Sequence, residues 1–334
     1  MKKVIFFFTV LIFISSVSLA QFNKFESPFA HTFSIVAYDS VTGQMGVAVQ
    51  SHWFSVGSVV AWGEAGVGVV ATQSFVNVSF GIRGLELLKQ GLSPQEAVDK
   101  LISEDNAPEV RQLAILDTKG RVATHTGSLC VKDAGYVQGK GYSCQANMML
   151  NDKVWGAMSK GYESTKAPLA EKMMAALEAG QEAGGDIRGK QSCAILVVSG
   201  TNTGKPWEDR IIDLRIEDHA EPIVEMKRII KTYRAYEHMN NGDLAMEHGD
   251  MKKALEEYTS AEVMFPENLE MKYWHAVTLV NNGNLEEALP MFKEVFEKDH
   301  HWAIMTPRLI DSKLLDVTDE QLKTILSAGK KKMD

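Results

Sequence analysis

Cysteine is scarce, basic charge is in deficit, and no apolar run beyond the N-terminus reaches membrane-spanning length. Each shortage removes a class of function. Of 334 residues three are cysteine, Cys130, Cys144 and Cys193, and none sits in a CxxC pair, so a thiolate zinc site and a dense disulfide scaffold are both excluded. HExxH is missing too and the nine histidines are scattered, so no metal or cofactor motif is present. Lys and Arg number 35 against 43 Asp and Glu, a formal charge of −8. Nucleic acid and anionic membranes need basic patches that such a balance does not supply. After residue 20 no apolar stretch approaches the ~20 residues that cross a bilayer.

What is present begins with an export signature. MKKVIFFFTVLIFISSVSLAQ opens with two lysines, runs through an apolar core from Val4 to Ile14, and ends with Ser18 and Ala20 placed for cleavage. The core is too short to span and small residues follow it, so residues 1–20 read as a secretory signal peptide. The mature chain is expected to start near Gln21, in the periplasm or outside the cell, and no cysteine at the junction calls for a lipid anchor. Loss of Lys2 and Lys3 takes the net charge to about −10. In an oxidising compartment three cysteines are an odd set. Cys130 and Cys144 flank the loop VKDAGYVQGKGYS and either bridge neighbouring strands or remain, with Cys193, as buried thiols.

The rest of the chain exceeds what one core usually holds, and its halves follow different patterns. From Thr32 to about Asp218 it is α+β. TFSIVAYD and QMGVAVQS alternate around SVTG as a hairpin with one buried face. Gly63, Gly66 and Gly68 do not make a dinucleotide loop, because strand rather than helix follows them. Ser93, Pro94 and Glu96 form a capping box that opens a helix, RQLAILD and RVATHTG are strands, helices follow near 154–162 and 168–179, and QSCAILVVS and RIIDLRIE return to strand. After about Glu221 strand signals vanish. Aligning Gly249-Asp250 with Gly283-Asn284 matches Ala254 with Ala288, Leu255 with Leu289 and Tyr258 with Phe292, a period of 34 residues. This is the tetratricopeptide spacing. Two repeats are expected, at about 235–268 and 269–302, within a helical domain over 221–334. A helix over 222–239 would pack before them, and a capped helix from Thr318 would close the end. Lysines 330–332 read as a solvated helix end.

HTFSIVAYD, GVAVQS, GVGVVATQSFVN, GIRGLELL, RQLAILD, GRVATHTG, GYSCQANMM and GGDIRGKQSCAILVV occur in an order that resembles the bacterial family called domain of unknown function 1028, placed in the N-terminal nucleophile (Ntn) hydrolase superfamily. The resemblance covers about residues 31–200. It implies a four-layer αββα sandwich over 32–218 and amide hydrolysis by an N-terminal Thr, Ser or Cys whose own α-amine is the base. No substrate comes with the family. Cytoplasmic members resemble Met-Thr-Phe-Ser-Ile at their start, and here Thr32 stands in that place behind an N-terminal extension, residues 21–31. A blocked α-amine is an amide nitrogen and takes no proton. The chemistry therefore requires a second cleavage before Thr32.

Thr32 is the nucleophile under that reading and otherwise a strand threonine that caps the chain. Ser34 shares its face of the strand, and Ser51-His52 ends the paired strand and returns near Thr32. His52 is either catalytic or a rim histidine. Gln73, Asn77, His125, Gln145 and Asn147 either donate to a developing oxyanion or a substrate amide, Asn147 within the catalytic set, or satisfy loop backbone. Arg188, with Asp186, either clamps a substrate carboxylate or pins its own loop, and Arg83 is a lesser anion contact. The expected function is an exported Ntn-type hydrolase of a small peptide-like amide, needing no cofactor, with a protein or peptide partner on the helical repeats. The alternatives are a non-catalytic Ntn-like ligand-binding module in an envelope assembly and a thiol hydrolase.

Overall fold

The structure, a computed structural model, describes residues 29–329. The expected signal peptide, residues 21–28 of the expected extension and lysines 330–332 lie outside the described residues. Two compact units divide between Ile223 and Val224.

In the first unit the alternating sequences make β2 (Thr32–Tyr38) and β3 (Met45–Ser51) pair antiparallel from Thr32↔Ser51 to Tyr38↔Met45, around a turn where Gly43 takes φ +74°. Their sheet runs β11-β10-β3-β2-β9-β8. It adds β8 (Gly135–Gly139), β9 (Tyr142–Ala146), β10 (Ser192–Val198) and β11 (Arg210–Ile216). The segment holding β8, expected as loop, is a strand at the sheet edge. Its half-buried face carries Gly135, Val137 and Gly139, so a single apolar side chain is all that marks it. The second sheet contains β1 (Phe29–Ala30), β5 (Gly68–Phe75), β6 (Arg111–Asp117) and β7 (Val122–Thr126) in that order. β4 (Ala61–Glu64) takes residues 68–71 of β5, and β1 takes residues 74–75 along the same edge.

The two sheets pack face to face through Val36, Val47, Val49, Val69, Ala71, Ala114, Leu116 and Leu196. Burying such a side chain stabilises by about 1.5–3 kcal/mol, so this aliphatic layer is the main cohesive element of the unit. On the outer face of the second sheet lie α2 (Ser79–Lys89) and α3 (Pro94–Ser103), with Phe80, Leu85 and Leu101 over Val70, Leu113 and Ile115. The expected capping box of α3 is present: Ser93 Oγ accepts from the Glu96 N–H at 3.3 Å, and the Glu96 carboxylate from the Ser93 N–H at 2.7 Å. On the other sheet α4 (Val154–Ser164) covers β8 and β9, and α5 (Leu169–Glu182) covers β2 and β3. The unit is thus α+β with four layers, helices outside two antiparallel sheets. Single turns α1 (Gly57–Val60) and α6 (Pro206–Asp209) sit in connections.

The second unit is all helical. Its first helix, α7 (Pro222–Glu247), was expected to stop near Met239 but runs on unbroken, because no proline interrupts it and Gly242 is accommodated by packing. It is followed by α8 (Met251–Met264), α9 (Leu269–Asn281) and α10 (Leu285–Lys298). Short α11 (His301–Met305) and α12 (Arg308–Asp311) lead to α13 (Asp319–Ala328), opened by the Thr318/Gln321 capping box. Tyr273, Ala276, Phe292 and Phe296 form one core, and Ala254, Tyr258 and Ala261 another.

Gly242 is where α7 meets α8. A Cβ there would stand 2.9 Å from the Tyr258 ring, which is buried and whose hydroxyl is tied to Asp243 at 2.5 Å. Gly242→Ala would gain up to ~1 kcal/mol of helix propensity. Overpacking costs about 1–3 kcal/mol and outweighs it. The variant is therefore expected to melt below the wild type by calorimetry, although the same change at an exposed helix glycine raises stability.

Candidate functional site

The inward faces of six strands switch from aliphatic to polar at the same end of the sandwich. Val36 gives way to Ser34 and Thr32 on β2, Val49 to Ser51 on β3, and Ala71 to Gln73 on β5. On β6 and β10 the order reverses with strand direction, from Gln112 to Ala114 and from Ser192 to Ala194, and Gln145 and Asn147 end β9. All eight of these polar residues are fully buried. An unpartnered buried amide costs about 1–3 kcal/mol, so the cluster persists only as a network.

The network is centred on Gln112. Its Oε1 accepts from Gln73 Nε2 at 2.7 Å and Asn147 Nδ2 at 2.9 Å, and its Nε2 donates to Thr126 Oγ1 at 2.8 Å and the Ala146 carbonyl at 2.9 Å. Ser34 Oγ donates to Gln73 Oε1 at 2.5 Å and accepts from Gln145 Nε2 at 2.7 Å. The Thr32 carbonyl takes the Asn147 N–H at 3.1 Å and Gln73 Nε2 at 3.3 Å. Gln73, Ser34, Gln145 and Asn147, all sequence candidates, are thereby brought around Thr32. Gln112 escaped notice in RQLAILD. Its signal was there, a glutamine in register with Ala114 and Leu116 on a face that is otherwise apolar.

At His31-Thr32 the chain crosses from one sheet to the other, since Ala30 pairs with Ser74 and Thr32 with Ser51. The peptide carbonyl of His31 accepts from Ser51 Oγ at 2.5 Å and from Arg188 Nη2 at 2.8 Å. Arg188 is aimed by Asp186, whose Oδ2 lies 2.6 Å from the same Nη2 and whose Oδ1 takes Nε at 3.0 Å. The Asp186 carboxylate is fully buried and its Oδ2 also accepts from the His52 backbone N–H at 3.2 Å. Thr32 Oγ1 donates to the Ala30 carbonyl at 2.6 Å. His31 itself is 2% exposed, with Nδ1 2.7 Å from Asn147 Oδ1 and its ring edge-on to Phe75. Burial pulls its pKa below the usual imidazole value, aided by the nearby Arg188 charge; the Asn147 hydrogen bond and Asp186 oppose the shift. A carbonyl held by two polarising donors thus stands next to a hydroxyl, away from bulk water.

The other candidates lie outside this constellation. The His52 side chain is exposed, and its backbone alone joins the cluster. Asn77 Oδ1 accepts from the Ser79 N–H at 3.2 Å where α2 begins, and its Nδ2 donates to Asp105 at 2.7 Å, beside the buried Asp105–Arg111 ion pair. His125 Nε2 meets the Pro108 carbonyl at 3.1 Å, and Arg83 pairs with Glu104 on the surface. The bridge expected as one alternative for Cys130 and Cys144 does not form; all three cysteines are free thiols. Cys144, opposite Ile35, is fully buried, whereas Cys130 Sγ reaches the Arg111 carbonyl at 3.4 Å. Burial raises the pKa of every one of them, which disfavours the thiolate that a thiol hydrolase needs. No group of three metal-ligating side chains occurs among the described residues. A groove of about 550 Å³ lined by Thr126, Gly127, Cys130, Lys132 and Trp155 opens beside the network, which Gln112 joins through Thr126.

Fold and site define an α+β protein with a sealed polar centre built around the head of one strand. Residues 32–226, more than half of the chain, match the family of unknown function DUF1028, and the chain belongs to that family. It is similar to the crystal structure of protein SPO2555 from Silicibacter pomeroyi, itself assigned to DUF1028, with 30% identity and a TM-score of 0.55 over 60% of this chain and 85% of that one. No curated protein matches.

Two outcomes follow from the geometry. Gln112→Leu strips partners from Gln73, Asn147 and the Ala146 carbonyl, and is expected to lower stability by about 2–4 kcal/mol, read as a drop in urea midpoint at constant slope. His31, with its folded pKa below the unfolded value of about 6.5, contributes stability above that pH and loses it on acidification. The slope is at most about 1.4 kcal/mol per pH unit. In the intact chain His31→Gln should flatten that part of the stability profile below pH 6.5.

Proposed function

We propose that this chain is an exported amide hydrolase of the Ntn type, with Thr32 as nucleophile after cleavage of the His31–Thr32 bond. The observation that carries the reading is the pair of donors, Ser51 Oγ and Arg188 Nη2, on the one carbonyl that the Thr32 hydroxyl would attack. Donors aimed at a developing oxyanion are each worth about 10²–10³ in rate. His31 and Thr32 are 2% and 0% exposed, so an external protease has no access to the bond. That favours cleavage by the chain itself.

In that step Thr32 Oγ1 adds to the His31 carbonyl carbon and its proton passes to the Thr32 nitrogen as the C–N bond breaks. An ester remains. Water hydrolyses it, leaving the His31 carboxylate, the Thr32 hydroxyl and a free Thr32 amine. With an ordinary pKa near 8, this amine accepts the hydroxyl proton in the next round, when a substrate amide occupies the vacated position. The amine then protonates the leaving nitrogen, and water releases the acyl group. Arg188, weighed from the sequence as a carboxylate clamp, serves here as a carbonyl donor, with Asp186 aiming it. Ser34, Gln73, Gln145 and Asn147 hold the Thr32 main chain in place.

The helical unit supports a tetratricopeptide-type reading with a peptide or protein partner. It has a groove of about 600 Å³ lined by Asp243, Glu247, Glu270, Trp274 and Lys313, whose carboxylates suit a basic side chain. The rival reading, a non-catalytic ligand-binding module, draws on the Thr32 hydroxyl being tied to the Ala30 carbonyl in the uncleaved chain.

Intact mass and N-terminal sequencing of the exported protein decide between them. The expected terminus is Thr32, with Thr32→Ala folded but uncleaved and Arg188→Gln cleaving at least a hundredfold more slowly. Wild-type protein that keeps residues before Thr32 and hydrolyses no amide would establish the rival.

A further inference from the structure

The segment that ends at His31 is bound as a ligand would be, in backbone, side chain and carbonyl alike. Its backbone extends an open sheet edge. β4 covers residues 68–71 of β5 and stops there; Ala30 and residue 29 pair antiparallel with Ser74 and Phe75 beyond it. This is the geometry by which extended peptides add to sheets, with backbone bonds giving affinity and alternate side-chain pockets giving selectivity. Ala30 is fully buried in the aliphatic layer between the sheets, where a larger side chain would have to displace packed neighbours. His31 fills a second pocket, with Asn147 Oδ1 2.7 Å from its Nδ1 and the Phe75 ring edge-on at 5.4 Å between centroids. Its carbonyl rests on Ser51 and Arg188.

From this we infer that the same cleft recognises peptides whose acyl side is an extended strand ending in a small residue followed by histidine, and that residues 29–31 occupy it as a built-in first substrate. The inference rests on the proposed function for its chemistry but not for its recognition. The site selects the residue on the acyl side of the scissile amide. Asn147 Oδ1 calls for a ring N–H, and the perpendicular Phe75 ring suits a flat one. A carboxylate in place of the imidazole would be repelled by Asn147 Oδ1, and an aliphatic chain would leave that oxygen unsatisfied. Selectivity for histidine is therefore expected to exceed that for any residue of similar bulk.

The test uses the chain starting at Thr32, either recovered from the exported fraction or produced by removal of an initiator methionine, with the uncleaved Thr32→Ala chain as control. Binding of acetyl-Phe-Ala-His is measured by calorimetry against acetyl-Phe-Ala-Ala and acetyl-Phe-Leu-His, and the corresponding peptide anilides are assayed for hydrolysis. The expected result is binding of the Ala-His peptide to the Thr32-started chain, at least tenfold weaker binding of the other two, and none to the control, whose cleft is already filled. If the anilides are cleaved with the same preference, both readings stand. Selective binding without cleavage would leave the recognition intact and remove the hydrolase. Cleavage of amides with no preference for the Ala-His peptide would overturn the recognition and keep the hydrolase. Absence of binding and of cleavage would overturn both.

Discussion

Eight fully buried polar residues between two sheets set the terms for everything else in the first unit. Each amide and hydroxyl carried away from water must be given a partner, and Gln112 supplies four such contacts at the centre of the group. Because those contacts come from strands of both sheets, they hold the polar end of the sandwich as rigidly as the aliphatic layer holds the other. Thr32 inherits that rigidity through its main chain. The pair of donors on the His31 carbonyl is held in the same way, since Arg188 is fixed by a carboxylate that itself has no exposure.

Much of this arrangement can be read from the chain. Alternation locates β2, β3, β6 and β10, and the two capping boxes mark the starts of α3 and α13. Ser34, Ser51, Gln73, Gln145 and Asn147 stand out as polar positions in apolar strands, and the structure gathers them about Thr32. Two things resist such reading. Gln112 and His31 matter through partners 35 and 116 residues away, which no local pattern reports. Conversely, Asn77 and His125 sit in equally suggestive strings but spend their hydrogen bonds away from Thr32, on Ser79 and Asp105 and on the Pro108 carbonyl. Residue type tells what a side chain can do; topology decides whether anything is there to do it to.

The helical unit repeats the lesson at larger scale. Two of the small-aromatic pairs that the 34-residue spacing aligns are in contact or in one core: Gly242 admits Tyr258, and Ala276 shares a core with Phe292. Yet the helix end expected near Met239 is absent, since α7 runs through it to Glu247. A repeat period registers which faces must meet. It says little about where one helix ends when neither proline nor a cap intervenes.

The short pairing of β1 with the end of β5 has a consequence for what else that strand edge can join. A strand edge stripped of its neighbour offers free N–H and C=O groups to any extended chain, including another copy of itself. While residues 29–31 remain attached, that stretch of β5 is closed to other chains. Were they removed, the edge along Ser74 and Phe75 would stand open, so in the uncleaved chain these residues act as a guard against self-association.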